Sequence, residues 1–339
     1  MATLSSIRPT LLDLAKRTDP DGSISTVIEI LNETNEILDD IVFVEGNLPT
    51  GHRTTIRSGL PTPTWRQLYG GVQPTKSRTV QVTDNCGMLE AYAEVDKALA
   101  DLNGNTAEFR MSEDRPHIEG IGQEITDTLF FGNETSAPAE FTGFAPRFND
   151  LSGPENADNI IDAGGTGTDN ASIWLVVWGD QTCHGIVPKG STAGMQFHDK
   201  GQVTIENIDG SNGRMEAYRS HYRFDAGLTV RDWRYVVRIC NIDRSLLNRV
   251  YTSGTFASAS ANLPDLMFQA MELIPNMNAG RPAFYMDRTT RSWVRRQVAA
   301  GVQNSTLSME DFAGKQILAY NGIPLRRVDA LAADEARIV

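Results

Sequence analysis

The stretch from Glu45 to Asp84 limits this chain more than any other. It is rich in Gly, Pro, Thr and Arg, and two of its segments alternate in polarity, Arg53-Thr54-Thr55-Ile56-Arg57-Ser58 and Arg78-Thr79-Val80-Gln81-Val82-Thr83. The alternation predicts two strands, joined through Gly59-Leu60-Pro61-Thr62-Pro63-Thr64-Trp65 and Gly70-Gly71 into a long ribbon. Its apolar side is too thin to form a core, and an isolated two-stranded ribbon is marginal in water. Such a ribbon has to lie on something outside itself, and its unpaired edges invite another chain. Arg53, Arg57, Arg66, Lys76 and Arg78 make it cationic and Trp65 adds an aromatic ring, so these six residues are expected to form an interface with an acidic neighbour.

The rest of the chain has the material for a core. It has 339 residues, 40% of them hydrophobic and 22% charged, which places it among globular proteins rather than disordered or membrane-embedded ones. The longest apolar run, Ile173 to Trp178, is far short of the roughly 20 residues that span a bilayer, so no membrane partner is expected. The segment Met1-Ala2-Thr3-Leu4-Ser5-Ser6-Ile7-Arg8-Pro9 shows no secretion signal, and synthesis in the cytosol is expected. Cys86, Cys183 and Cys240 are odd in number and widely spaced, and read as reduced thiols. The net charge of -12 repels polyanions, which disfavours general nucleic-acid binding; it suits a container for DNA and a cytosolic enzyme equally, and decides nothing between them.

Periodicity predicts an α+β fold. Residues 1–22 read as an arm ending in a turn, followed by a helix with Ile24, Val27, Ile28, Leu31 and Leu38 on one face. Met88, Tyr92, Val95, Leu99 and Leu102 fit a second helix ended by Asn103-Gly104. A third is expected from Ser112 to Phe131, with Glu113 and Asp114 in its first turn, Pro116 early enough to cost little, and an inward stripe of Ile118, Ile121, Ile125 and Leu129. Gly120 and Gly122 weaken it by about 1 kcal/mol each relative to Ala. After a loop-rich stretch over residues 139–171, strands are expected at 173–178, 185–187, 203–206 and 235–239. A helix over 263–273, a strand at 283–286, a helix over 290–297 and a final segment at 322–328 complete the chain.

No motif points to catalysis. Ala163-Gly164-Gly165-Thr166-Gly167-Thr168-Asp169 lacks the G-K-[ST] ending of a phosphate-binding loop and precedes a strand, so it reads as an ordinary loop. His52, His117, His184, His198 and His221 lack zinc-ligand spacing, and the adjacent Cys183 and His184 would point to opposite faces of a strand. No serine sits in a G-x-S-x-G elbow. No catalytic residue, metal or cofactor is expected. Basic residues recur at Arg231, Arg234 and Arg238 and at Arg288, Arg291, Arg295 and Arg296, and read either as intersubunit contacts or as a DNA-facing surface, the former being favoured near Trp233.

Several longer strings resemble the major capsid proteins of short-tailed phages of the epsilon-15 type. They include Leu48-Pro49-Thr50-Gly51-His52-Arg53-Thr54-Thr55, Glu94-Val95-Asp96-Lys97-Ala98-Leu99-Ala100-Asp101-Leu102-Asn103-Gly104, Ile160-Ile161-Asp162-Ala163-Gly164-Gly165-Thr166-Gly167-Thr168-Asp169-Asn170 and Gly227-Leu228-Thr229-Val230-Arg231-Asp232-Trp233-Arg234. The resemblance implies the Hong Kong 97 capsid fold, with an N-terminal arm and helix at 1–40, an extended loop at 41–86, a peripheral domain with a long spine helix at 87–138, an axial domain at 139–278, and a return to the peripheral domain at 279–339. It implies a coat protein of a tailed double-stranded DNA phage that assembles with itself through hexamers and pentamers into an icosahedral shell. Implied partners are a scaffolding protein, a portal, a decoration or cement protein, and packaged DNA held by non-specific contact. The implied location is the virion, after assembly in the bacterial host cytoplasm. Gly120 and Gly122 become flex points of the spine helix as the shell expands. The covalent cross-link of the name-giving phage is not carried over, because Lys76 is the sole lysine on the ribbon and no motif supplies its asparagine partner. Two other readings compete: a cytosolic α+β enzyme binding a phosphorylated ligand at 163–170, and a decoration protein that binds preformed shells.

Overall fold

Nine consecutive residues, Asn170 to Trp178, are buried on both faces of a central strand, and the two faces serve different cores. Ile173, Leu175 and Val177 point into an aliphatic core with Val237, Met267, Phe284 and Val294. Their neighbours Trp174 and Trp178 point the other way, into an aromatic cluster with Phe130, Phe144, Phe148 and Tyr285. Period-two geometry is what separates the two sets. The structure is a computed structural model and describes residues 33, 35–102, 106–153, 155–206, 213–247, 251–252, 255–256, 261–301, 307–312, 315–331 and 334–339. The expected arm, and the helix from Ile24 except its end at Leu38, lie outside the described residues.

In chain order the elements are α1 (Ile37–Asp40), β1 (Phe43–Glu45), β2 (Gly51–Gly59), β3 (Arg78–Asp96), α2 (Lys97–Ala100) and α3 (Thr106–Phe131). Then come β4 (Ile160–Asp162), β5 (Asn170–Trp178), β6 (Cys183–Val187), β7 (Gln196–Glu206), β8 (Arg214–Val230) and β9 (Val236–Asp243). The last are β10 (Tyr251–Thr252), β11 (Thr255–Phe256), α4 (Leu263–Leu273), β12 (Arg281–Met286), α5 (Arg288–Gly301), β13 (Leu307–Phe312), β14 (Lys315–Tyr320) and β15 (Ile323–Arg327).

Chain contacts divide these elements into two compact units, and β3, α3 and β8 each run through both. The larger unit comprises Thr34–Gly87, Thr126–Ala193 and Ala226–Val339. In it β5 lies between antiparallel partners β9 and β12, β15 continues the sheet parallel to β12, and β1 runs parallel to β6. Trp178 donates its indole N–H to the Tyr285 hydroxyl (2.6 Å), which donates to Asp40 (2.9 Å), and Arg326 closes the chain on Asp40 (2.7 Å). The indole N–H, the phenol hydroxyl and the carboxylate of this relay thereby each have a partner.

The smaller unit contains Met88–Ile125 and Gly194–Asp225, where β7 pairs antiparallel with β8. Two expectations fail in it. Residues 88–96 are strand, not helix. Met88, Glu90 and Tyr92 are exposed while Ala93 and Val95 are buried, a period of two that the helical spacing of Met88, Tyr92, Val95 and Leu99 happens to mimic. The cross-strand partners decide the matter: Arg219 pairs with Glu94 (2.6 Å), and His221 stacks on Tyr92 at 4.5 Å. The third helix also starts earlier than Ser112, at Thr106. Phe109 packs with Val95, Leu99 and Ala100, and this burial outweighs the capping signature of Ser112-Glu113-Asp114. Pro116 is consequently interior to α3, where it donates no i→i−4 bond, and Ile118 is 41% exposed rather than part of the inward stripe. A Cβ at Gly120 would meet open space. Gly120→Ala is therefore expected to raise subunit stability by about 0.5–1 kcal/mol in urea unfolding.

Candidate functional site: a ribbon fixed at its root

β2 and β3 pair antiparallel from Gly51↔Asn85 to Gly59↔Arg78, with a register shift between Arg57 and Gly59. Beyond them, residues 60–77 contain no strand or helix, and their large side chains face solvent: Trp65 is 101% exposed, Tyr69 99%, Leu68 85% and Leu60 78%. Burying nothing, they contribute little to the stability of the subunit. The expected interface residues Arg53, Arg57, Trp65, Arg66, Lys76 and Arg78 are all exposed. From Gly46 to Thr83 the chain carries no carboxylate, so the ribbon is uniformly cationic on a protein of net charge -12.

The root, by contrast, is held tightly. Asp84, 6% exposed, accepts from the Arg147 guanidinium at 2.9 Å, and Arg147 also donates to the carbonyls of Thr142, Gly143 and Leu228. Asn85 donates to Glu134 (2.5 Å), and Asn47 clasps the Arg53 backbone through two hydrogen bonds of 2.7 Å. Gly51 lies so close to the facing strand that a Cβ would sit 2.1 Å from the Asp84 carbonyl oxygen.

Beneath the root are two histidines whose positions are not legible as a pair in the sequence. His52 on β2 and His184 on β6 meet edge to face at 5.9 Å, and both are buried. Arg231 reaches toward His52 Nε2 (3.3 Å) and donates to the Asp180 carbonyl (2.9 Å). Burial, then the Arg231 charge, holds both imidazoles below the ordinary value of 6.5, although Asp180 acts the other way on both and Asp84 on His52. A base with a depressed folded pKa binds its proton more readily when unfolded, so stability is fully present above pH 6.5 and is lost as pH falls through the lower folded values. Thermal unfolding should show a lower Tm at pH 5.5 than at 7.5, with a smaller decrease in His52→Gln/His184→Gln. Equal pH dependence in the two proteins would remove the histidines as the cause.

The other basic residues separate into distinct environments. Arg231 and Arg234 border a groove with Arg53 and Arg57, and Arg234 is held on Asp232 by two side-chain bonds of 2.9 and 2.6 Å. Arg238, read from the sequence with them as a surface group, is 4% exposed and belongs to the interior. It pairs with Glu335 (2.6 Å), donates to Ser172 and the Phe148 carbonyl, and lies over the Trp174 ring at 4.8 Å. Arg288, Arg291 and Arg295 line a shallow concavity on α5 together with Arg296 and Arg327. Gly120 and Gly122 both lie within α3.

The glycine loop at 163–170 packs closely against β9 at two of its glycines. A Cβ at Gly165 would strike the Asn241 carbonyl at 2.3 Å and one at Gly167 the Asp243 carboxylate at 2.5 Å. The Ser245 hydroxyl holds the Asp243 carboxyl below its usual range, so the loop closes around a negative charge that repels phosphate. Among the described residues no cluster of three His, Cys, Asp or Glu side chains is placed to hold a metal, and no helix is long and apolar enough to cross a membrane.

A family model described as Major capsid protein GP7 matches residues 19–339. Among solved structures, the chain is similar to one from bacteriophage Epsilon15, with 36% identity and a TM-score of 0.78, over 100% of this chain and 99% of that one. It is also similar to a chain of the bacteriophage JBD30 capsid, with 11% identity and a TM-score of 0.48, over 90% of this chain and 96% of that one. No curated protein matches.

Proposed function

The chain belongs to the GP7 family of major capsid proteins, and from that premise we propose how it builds its shell: each copy lays its ribbon over a neighbouring copy, and the copies join as hexamers and pentamers of an icosahedral lattice. Its role is that of a phage coat protein in the virion capsid, not of an enzyme, and its mixed α and β architecture is the capsid fold of the Hong Kong 97 type. The observation that carries the assembly reading is the ribbon itself. A segment with Trp65, Leu68 and Tyr69 almost wholly exposed, no carboxylate from Gly46 to Thr83, and a root fixed by Arg147 is built to satisfy a partner rather than its own fold.

In this reading residues 1–40 are the arm, 41–86 the strap, 87–138 the peripheral domain with α3 as its spine, 139–278 the axial domain, and 279–339 the returning segment. Arg231 and Arg234, bordering the groove at the strap's root, face another copy. A scaffolding protein, a portal and a decoration or cement protein act with it in the host cytoplasm, and the finished shell encloses double-stranded DNA. Pro116, Gly120 and Gly122 together make α3 the element that bends as the shell expands. Gly120→Ala/Gly122→Ala is expected to form shells that expand more slowly, and an unchanged rate measured by light scattering would exclude the flex role.

The test of the function is light scattering with negative-stain microscopy, on the protein expressed alone and with its neighbouring phage genes. Closed particles of megadalton mass are the expected result. A monomer or a small closed oligomer in both preparations would overturn the assembly reading.

A further inference from the structure

We propose that the exposed face of α5 is a sequence-independent phosphate-binding surface that holds duplex DNA against the inside of the shell, an inference that rests on the coat-protein reading above. α5 contains Arg288, Arg291, Arg295 and Arg296 and no carboxylate, and Arg327 on β15 adds a fifth guanidinium to the same concavity. Asp329 tethers Arg288 (3.5 Å) and Arg327 (2.5 Å), and Glu36 is 3.9 Å from Arg291. Among the described residues, no ion pair engages Arg295 or Arg296, and Arg296 instead lies over the Trp293 ring at 4.8 Å. Asp287, paired with Arg244, also acts on Arg327, so five cations face three carboxylates, one of them already engaged, on a protein whose net charge is -12.

The arrangement is electrostatically incomplete as it stands. Burial, together with the nearby Arg295, Arg327 and Arg326, makes the charge on Arg291 harder to hold, against the opposing effect of Glu36. A polyanion laid along the face would relieve that crowding. Arg288, Arg291 and Arg295 are at i, i+3 and i+7, which puts the three guanidinium groups on one side of α5.

Surface chemistry separates this face from the ribbon. Apart from arginine, the concavity is lined by Ser292 and Ala299. The lining holds no large apolar side chain to form the buried centre of a protein interface. The ribbon has Trp65, Leu68 and Tyr69 to offer a protein, whereas α5 offers guanidinium groups, the side chain best matched to phosphate. In an otherwise acidic wall, such a patch lets DNA touch at fixed points without coating the surface.

Two measurements test the proposal. Full-length subunits are titrated against a short labelled duplex by fluorescence anisotropy between about 50 and 200 mM salt, where three to four phosphate contacts give a slope of log K against log salt near -3. Arg295→Glu/Arg296→Glu should weaken binding at least tenfold, and unchanged affinity would overturn the assignment. DNA-filled particles of Ser292→Cys, labelled with a benzophenone and irradiated, should cross-link to DNA above the level of unmutated particles treated in the same way. Cross-links to protein alone would make the face a contact between chains, and no cross-links would make it solvent-facing; either result overturns the proposal. Failure of the coat-protein reading is seen separately, as the absence of shells from unmutated protein in light scattering.

Discussion

Replacing residues 60–77 with a two-residue turn is expected to abolish shell formation while leaving the subunit folded. That segment contains Trp65 at 101% and Tyr69 at 99% exposure, so its removal takes no apolar area out of the core, and surface changes of this kind usually alter stability by less than about 0.5 kcal/mol. Tm should stay within about a degree of the parent. Assembly should respond very differently. If Trp65, Leu68 and Tyr69 anchor each strap in a neighbour, every subunit loses its outgoing contact, and aromatic anchors at interfaces are typically worth about 2 kcal/mol or more apiece. Sedimentation should show subunits or small oligomers at concentrations where the parent forms megadalton particles. Normal shells from the shortened chain would refute the strap. Trp65→Ala alone should raise the concentration needed for assembly without blocking it, and high salt should act in the same direction through the cationic Arg53, Arg57, Arg66, Lys76 and Arg78.

The second large effect is expected inside the subunit. Arg238→Ala should destabilise it by about 3–5 kcal/mol, because the substitution leaves Glu335, whose side chain is 7% exposed, as an uncompensated buried charge and strips a donor from the Phe148 carbonyl. At about 1.4 °C per kcal/mol for a chain of this size, Tm should fall by about 4–7 °C. Replacing both partners with apolar residues, Arg238→Met/Glu335→Leu, should recover most of the loss, since a buried pair often exchanges for hydrophobes at little net cost. The comparison discriminates between two roles. An interface arginine would spare subunit unfolding and impair assembly, whereas this one should lower Tm in the isolated subunit; a loss under about 1 kcal/mol would contradict its interior placement.

What the sequence could reveal follows the range of the interactions that decide each element. β5 was legible because Ile173–Trp178 is apolar at every position, short, and rich in β-branched and aromatic residues, which suits a strand buried on both sides. β2 and the first part of β3 were legible from alternation alone. Residues 88–96 were not, since Met88, Tyr92, Val95 and Leu99 satisfy a helical period and the deciding contacts come from Arg219 and His221, more than a hundred residues on. The start of α3 was misplaced for a similar reason, a local cap at Ser112 losing to the tertiary burial of Phe109. At the candidate site, the exposed ribbon was readable from what it lacks, a hydrophobic face. The root was not: nothing local distinguishes Arg147, which reaches Asp84, from any other arginine, or marks Arg238 as an interior group.

The ribbon's root and its tip answer to different molecules. The root is fixed by Arg147, Glu134 and Asn47 of its own chain, while the tip finds nothing among the described residues of that chain to rest on. A copy lacking the tip would still present its own surface for a neighbour's strap, and so could enter a growing lattice yet fail to hold the next subunit. Its defect would appear one position away from the altered chain. Such an allele should behave as dominant: in cells making both forms, a minority of shortened copies would spoil shells made mostly of intact ones.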